Sequence, residues 1–186
     1  MLESTSEHVL TEIAKHAKKK GLLPLMQTAV LDLALFKKFK GAEKNMKILE
    51  VMLIFGLKED AQRLGKGVIH VFMTHADLFP KKNYKMYLGA ARTAARINDV
   101  DKGDEAMDKY LAVSRELGEE NPEILGEVAL AAMEFSRDDD AHELGTKAFA
   151  YLISEGNLEE AKELAREVHL YDLQSQAKEM WKRTEE

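Results

Sequence analysis

The chain has 186 residues, of which 45% are hydrophobic, and a chain of this length can bury a core without a metal or a disulfide. It contains no cysteine, which excludes a disulfide framework, a thiolate zinc site, an iron–sulfur cluster and a cysteine nucleophile. The formal net charge of −6 is unevenly spread. Residues 1–100 carry 17 Lys and Arg against 10 Asp and Glu, whereas residues 101–186 carry 10 against 23.

Helices are predicted along almost the whole chain. Apolar residues recur at steps of three and four, and the breaks between these runs fall on Gly, Pro, Asn or clustered Asp. The predicted helices span residues 6–20, 23–40, 43–57, 58–76, 81–98, 102–117, 122–136, 139–155, 158–169 and 172–184. Loops this short require neighbouring helices to pack antiparallel, so we predict an all-α fold of about five helix hairpins in a single domain, residues 1–186.

An internal repeat supports this prediction. Residues 55–78 match residues 135–158 without a gap. The identical pairs are Phe55 with Phe135, Asp60-Ala61 with Asp140-Ala141, Leu64-Gly65 with Leu144-Gly145, and Leu78 with Leu158. The offset of 80 residues corresponds to two hairpins of about forty residues each. We interpret the paired mid-helix glycines as points of close helix approach rather than as a phosphate-binding loop, since a mid-helix Gly otherwise costs ~1 kcal/mol against Ala.

Two acidic residues followed by alanine recur just after predicted turns. The four triplets are Glu59-Asp60-Ala61, Asp104-Glu105-Ala106, Asp139-Asp140-Ala141 and Glu159-Glu160-Ala161. Acidic side chains at a helix start suit the positive end of the helix dipole, and alanine permits close approach of a neighbouring helix. Good helix starts and repeat ancestry explain the triplets equally well.

One stretch resembles a known helical repeat. Residues 156–161, Gly-Asn-Leu-Glu-Glu-Ala, look like the turn and second-helix start of a tetratricopeptide repeat. Two partial matches share its spacing, one with Ala94, Ile97, Ala106, Tyr110 and Val113, the other with Ala132, Phe135, Leu144, Ala148 and Tyr151. In this alignment Asp101 and Asp139 replace the turn glycine, and Leu144 replaces an alanine. The resemblance covers residues 84–170 and implies a right-handed superhelix of helix hairpins. Residues 1–40 fit this register least well and are predicted to form an N-terminal cap or a docking element.

No catalytic or metal-binding motif is found in the sequence. The six histidines form no HExxH pair, and no glycine-rich phosphate loop occurs. The carboxylates stand in solvated or helix-starting runs, without the apolar surroundings that raise a pKa for acid–base work. We therefore predict that the chain is not an enzyme and uses no metal and no cofactor.

The sequence also bears on location. The first residues are polar and acidic, where an export leader would place positive charge before an apolar run. The most apolar stretch, residues 48–57, is about half as long as a membrane-spanning helix. We expect a soluble, cytoplasmic protein with no membrane partner.

The tetratricopeptide register implies a groove along the first helix of each hairpin. Its predicted lining is mostly small and apolar and consists of Met46, Leu49, Leu53, Leu88, Ala91, Ala95, Asn98, Ala129, Met133 and Ser136. Gly56 and Gly126 occupy similar positions. Such a lining suits an amphipathic helix or an extended apolar peptide. The alternative is that neighbouring helices or a second copy of the chain bury the same face.

The basic half of the chain offers a different surface. The candidate basic residues are Lys37, Lys38, Lys40, Lys81, Lys85, Arg92 and Arg96. These side chains could attract nucleic acid, associate with the acidic half of another copy, or simply be solvated. The leading hypothesis is an adaptor or chaperone that binds a segment of another protein. The alternatives are a nucleic-acid-associated regulatory factor and a self-assembling scaffold, which would be a homo-oligomer.

Overall fold

The computed structural model describes Lys19 and residues 49–50, 52–54 and 56–170. Every regular element in this part of the chain is a helix, which confirms the predicted all-α class. After helical residues 49–50 and 52–54 come α1 (Lys58–Leu78), α2 (Pro80–Ile97), α3 (Val100–Glu120), a short 3-10 helix (Pro122–Ile124), α4 (Leu125–Glu134), α5 (Asp138–Ser154) and α6 (Leu158–Glu167). Their ends agree with the predicted ends to within three residues. Apart from Lys19, the predicted helices 6–20, 23–40 and 172–184 and the N-terminal cap lie outside the described residues.

The helices belong to two compact units. Among the described residues, the first unit contains those up to Leu78 and Gly89–Asp104, and the second contains Phe79–Leu88 and those from Glu105 to Leu170. Helices α2 and α3 therefore contribute residues to both units. In the first unit, the end of α2 approaches the start of α3, since a β-carbon on Gly103 would lie 3.6 Å from Ala94 Cβ. In the second unit, the start of α2 lies beside the end of α3, where Lys81 Nζ is 2.8 Å from Glu120 Oε1.

Four of the short turns share one set of hydrogen bonds. A residue with positive φ ends each preceding helix: Gly56 (80°), Asn98 (58°), Ser136 (54°) and Gly156 (78°). The amide of the next residue donates to the carbonyl five residues before it. The N–O distance is 2.9 Å for Leu57, Asp99 and Arg137 and 2.8 Å for Asn157. This is the Schellman arrangement of a helix C-terminus. The carbonyls of Leu57, Asp99, Arg137 and Asn157 in turn accept hydrogen bonds from the amides four residues ahead, those of Ala61, Gly103, Ala141 and Ala161. The residue after each positive-φ residue therefore also begins the next helix.

This shared turn corrects the register of the family resemblance. Asn98 and Ser136 occupy the position of Gly156, whereas the sequence alignment had placed Asp101 and Asp139 there, three residues too late. Gly103 and Ala141 likewise stand at the small position of Ala161, so Leu144 was wrongly assigned to it. The triplet at residues 104–106 lies inside α3 rather than at the turn, and residues 101–103 are its structural equivalent.

The match between residues 55–78 and residues 135–158 is confirmed over its first half. Helices α1 and α5 begin 80 residues apart, at Lys58 and Asp138. The matched pairs Ala61 with Ala141, Gly65 with Gly145, Val68 with Ala148, and Ile69 with Phe149 are all buried. The match then fails, because Leu78 is the last residue of α1 whereas Leu158 is the first residue of α6.

The paired glycines mark close packing, as the sequence indicated. A β-carbon on Gly65 would lie 2.6 Å from Ile97 Cγ2, and one on Gly145 would lie 2.8 Å from Val168 Cγ2. Carbon atoms in ordinary contact are about 3.5–4.0 Å apart, so neither position has room for a methyl group. Both glycines therefore let an aliphatic side chain from the end of the following helix touch the backbone.

Candidate peptide-binding groove

A groove of about 370 Å³ opens on the second unit, between the 3-10 helix, α4, α5 and α6. Its floor is apolar and is formed by Gly126, Leu130, Ala148, Leu152 and Leu164. Its rim carries Tyr151 and four carboxylates, those of Glu123, Glu160, Glu163 and Glu167. Among the described residues that line the groove, none is basic. The groove thus combines an apolar floor with a negatively charged rim.

The local sequence at residues 121–126 builds one wall. Asn121 Oδ1 accepts the amide of Glu123 at 3.2 Å, and Pro122 follows as the first helical residue, where its missing N–H costs nothing. Glu123 is thereby held in the first helical turn, where the helix dipole favours a negative charge. A β-carbon on Gly126 would lie 3.8 Å from Leu164 Cδ2, so Leu164 of α6 lies close to α4 at this position.

The floor and the rim follow helical periodicity. Gly126 and Leu130 are four residues apart on α4, and so are Ala148 and Leu152 on α5, which places each pair on one face. Leu130 is 38% exposed and lines the groove together with the half-buried Leu152. Glu160, Glu163 and Glu167 occupy one face of α6, at spacings of three and four residues, and all are exposed.

Tyr151, in the last turn of α5, forms a hydrogen bond with a glutamate of the rim. Its hydroxyl donates to Glu123 Oε1 over 3.4 Å, a long hydrogen bond. Partial removal from water raises the pKa of Tyr151 above its usual value, and the negative charges of Glu123 and Glu155 raise it further. The single phenolic proton of Tyr151 is donated to Glu123.

The Glu123→Gln substitution is expected to lower the pKa of Tyr151 towards its usual value. The substitution removes a negative charge that opposes formation of the phenolate. Ultraviolet difference titration against the Tyr151→Phe variant isolates this one phenol among the five tyrosines. Glu119→Gln, an exposed site on α3, serves as the control and should leave the titration unchanged. An unchanged pKa in Glu123→Gln would contradict the assigned cause.

The structure places the predicted groove residues in different environments. Leu49, Leu88, Ala91 and Ala129 are each at most 4% exposed, within the core of their own unit. Leu53 and Met133 are half-buried, while Ala95, Asn98 and Ser136 are exposed, and Met46 lies outside the described residues. Buried residues offer no surface to a partner in this structure, and binding by the exposed members stays a prediction.

The sequence reasoning missed most of the groove described above. It included Gly126 but not Leu130, Leu152 or Leu164, because the assumed register placed the lining on one set of helices. The three-and-four spacing of the glutamates on α6 was a usable signal, which had been assigned to a solvated face.

The predicted basic surface is largely paired with carboxylates where it is described. Lys81 contacts Glu120 at 2.8 Å, and Lys85 contacts Glu127 at 2.6 Å. Arg96 contacts Glu50 at 2.9 Å and donates to the carbonyl of Arg92 at 3.1 Å. The hydrogen bond between Lys81 and Glu120 raises the pKa of the lysine and lowers that of the glutamate. Lys37, Lys38 and Lys40 lie outside the described residues.

The described residues contain neither a metal-binding cluster nor a membrane-spanning helix. No cluster of three or more His, Asp or Glu side chains in this part of the chain is arranged to hold a metal ion. None of the described helices is both long enough and apolar enough to span a bilayer.

Comparisons with known proteins give structural likeness alone. No family model and no curated protein matches the chain. The chain is similar to the crystal structure of a Podosopora anserina putative kinesin light chain with nearly identical TPR-like repeats, with 16% identity and a TM-score of 0.48 over 94% of this chain and 91% of that one. A single-substitution variant of that protein gives 17% identity and a TM-score of 0.49 over 95% and 91%.

Proposed function

We propose that this chain is a non-enzymatic protein–protein interaction module, an adaptor or chaperone that binds an apolar helical or extended segment of a partner protein. The groove on the second unit is the observation that carries the proposal. Its floor is apolar, and four carboxylates border it. We place the module in the cytoplasm because its sequence contains no cysteine.

The exposed leucine of the floor supports a docking role. Leu130 is 38% exposed, and Leu152 beside it is half-buried. Covering such a side chain fully removes apolar area from water, and a fully buried leucine is worth about 1.5–3 kcal/mol relative to an exposed one. Helix-in-groove recognition uses apolar anchors of this kind, spaced at one helical turn.

The nucleic-acid alternative has less support. Lys81, Lys85 and Arg96 already have carboxylate partners at 2.6–2.9 Å, which reduces the positive charge that they offer to phosphates. The self-assembling scaffold rests on the unequal charge of the two halves of the sequence and has no further structural support in the described residues.

A leucine-to-glutamate substitution in the groove tests the proposal. We expect Leu130→Glu to reduce capture of the native partner by about tenfold or more, because a buried carboxylate at an apolar contact costs more than 1.4 kcal/mol. Leu78→Glu is the matched control, since Leu78 is 65% exposed on α1 and lies outside the groove. Quantitative mass spectrometry of proteins retained by the unmodified chain and by both variants measures the effect.

The comparison between the two variants decides the outcome. A partner retained by the unmodified chain and by Leu78→Glu, but lost by Leu130→Glu, supports docking in the groove. Equal retention by all three proteins would show that the groove is not the binding site.

A further inference from the structure

We propose that the occupant of the groove is a cationic amphipathic helix of a partner protein, with leucine-like side chains against the floor and Lys or Arg side chains against the glutamate rim. This inference rests on the proposed function and adds the charge and shape of the partner to it.

The charge of the rim is the first argument. Four carboxylates border the groove, and its described lining contributes no positive charge. Placing an acidic or a phosphate-bearing segment there would bring like charges together, which is unfavourable close to a low-dielectric surface. A cationic segment would instead meet opposite charge along the whole rim.

The pairing state of the glutamates is the second argument. Elsewhere in the second unit, several surface carboxylates have basic partners, as Glu120 has Lys81, Glu127 has Lys85, and Glu143 has Lys147 at 2.7 Å. On the rim, Glu163 has a partner within its own helix, Arg166 at 3.3 Å. Within the described part of the chain, neither Glu160 nor Glu167 forms an ion pair. These two carboxylates are thus available to a cation from outside.

The spacing of the rim is the third argument. Glu160 and Glu167 are seven residues apart on α6, which corresponds to about 10 Å along the helix axis. Lys or Arg residues seven positions apart on a partner helix span the same distance. Leu130 and Leu152 belong to the apolar floor, which the other face of such a helix would contact. An amphipathic helix therefore matches both the rim and the floor.

Binding of two designed helices to the full chain tests the inference. The first is an 18-residue fluorescein-labelled model helix of leucine on one face and lysine on the other, and the second has glutamate at every lysine position. Fluorescence anisotropy gives the dissociation constant of each at low and at high salt. We expect the lysine helix to bind about tenfold or more tightly than the glutamate helix, and to weaken at high salt because exposed ion pairs are screened.

A double charge reversal on the rim locates the binding. Glu160→Lys with Glu167→Lys is expected to weaken binding of the lysine helix by about tenfold at low salt. The control is Glu116→Lys with Glu119→Lys, which changes two exposed glutamates of α3 outside the groove and alters the net charge equally. Circular dichroism and thermal melting of both variants confirm that the fold is kept.

The remaining outcomes separate this inference from the proposed function. If the glutamate helix binds as well as the lysine helix, and Leu130→Glu abolishes both, the groove binds apolar segments but the inferred charge is wrong. If neither helix binds, or the control reversal weakens binding as much as the rim reversal, the inference is overturned. Light scattering that shows self-association lost on rim reversal would identify a second copy of the chain as the occupant, which also overturns it.

Discussion

Replacing Gly65 with alanine is expected to lower the free energy of unfolding by up to about 2 kcal/mol, although alanine is the better helix former. The new methyl group would lie 2.6 Å from Ile97 Cγ2 and 3.0 Å from Leu49 Cδ1. Ile97 is 4% exposed and Leu49 is fully buried, so neither side chain can move into solvent. Overpacking a core destabilises a protein by about 1–3 kcal/mol. The higher helix propensity of alanine offsets ~1 kcal/mol of this loss.

Gly67 provides the matched control two residues along the same helix. A β-carbon there would meet nothing within 4 Å, and the residue is exposed. Gly67→Ala is therefore expected to raise the free energy of unfolding by about 0.5–1 kcal/mol. Urea denaturation followed by circular dichroism measures both variants. Two stabilising substitutions would show that the contact at Gly65 is loose and that the mid-helix glycines do not mark close packing.

The helices could be predicted from the sequence because each buries one continuous stripe. Ala61, Gly65, Val68, Ile69 and Phe72 of α1 are all buried, at the three- and four-residue spacing that the apolar pattern indicated. Their breaks were predictable where Gly or Pro stands at the turn, as at Gly56 and Gly156. Helix order and approximate ends therefore followed from local rules alone.

The turn register could not be predicted with the same certainty. Asn98 and Ser136 adopt positive φ at the positions where Gly56 and Gly156 do so in the other two turns. Asparagine is a known substitute for glycine in this conformation, but serine is uncommon there. The aspartates three residues later gave a more familiar pattern, and the alignment followed them. Only the shared hydrogen bonds show which residues are equivalent.

Burial of small residues was the main obstacle to predicting the site. Ala91 and Ala129 are fully buried at helix contacts, whereas Ala95, one turn beyond Ala91, is exposed. A small side chain permits both outcomes, so the sequence cannot distinguish a groove lining from a packing contact. The groove on the second unit depends instead on larger residues, Leu130 and Leu152, whose exposure is set by how three helices meet.

The ion pairs change the meaning of the uneven charge distribution. Lys81 and Lys85 belong to the basic half of the sequence, yet both contact glutamates of the acidic half within one compact unit. Exposed pairs of this kind contribute little stability, about 0–1 kcal/mol each. Their main effect is to neutralise part of the acidic surface, which leaves the rim of the groove as a locally negative site.

The corrected register predicts that Leu144 contributes much to the stability of the fold. Leu144 is fully buried on α5, whereas its repeat counterpart Leu64 on α1 is half-buried. Leu144→Ala is expected to lower the free energy of unfolding by about 2–5 kcal/mol, because the substitution removes buried methyl groups and leaves a cavity. Leu64→Ala should cost about 1–2 kcal/mol, since less buried area is lost.

The same experiment distinguishes the two registers. If Leu144 stood at the position where the repeat family has a close-packed alanine, Leu144→Ala would restore the preferred residue and would be nearly neutral. The structure instead assigns that position to Ala141, which is fully buried and accepts no larger side chain without overpacking. We therefore expect Ala141→Leu alone to destabilise the fold by about 1–3 kcal/mol. Leu144→Ala alone should cause the larger loss given above. Urea unfolding of the three variants measures these values, and a neutral Leu144→Ala together with a tolerated Ala141→Leu would restore the original alignment.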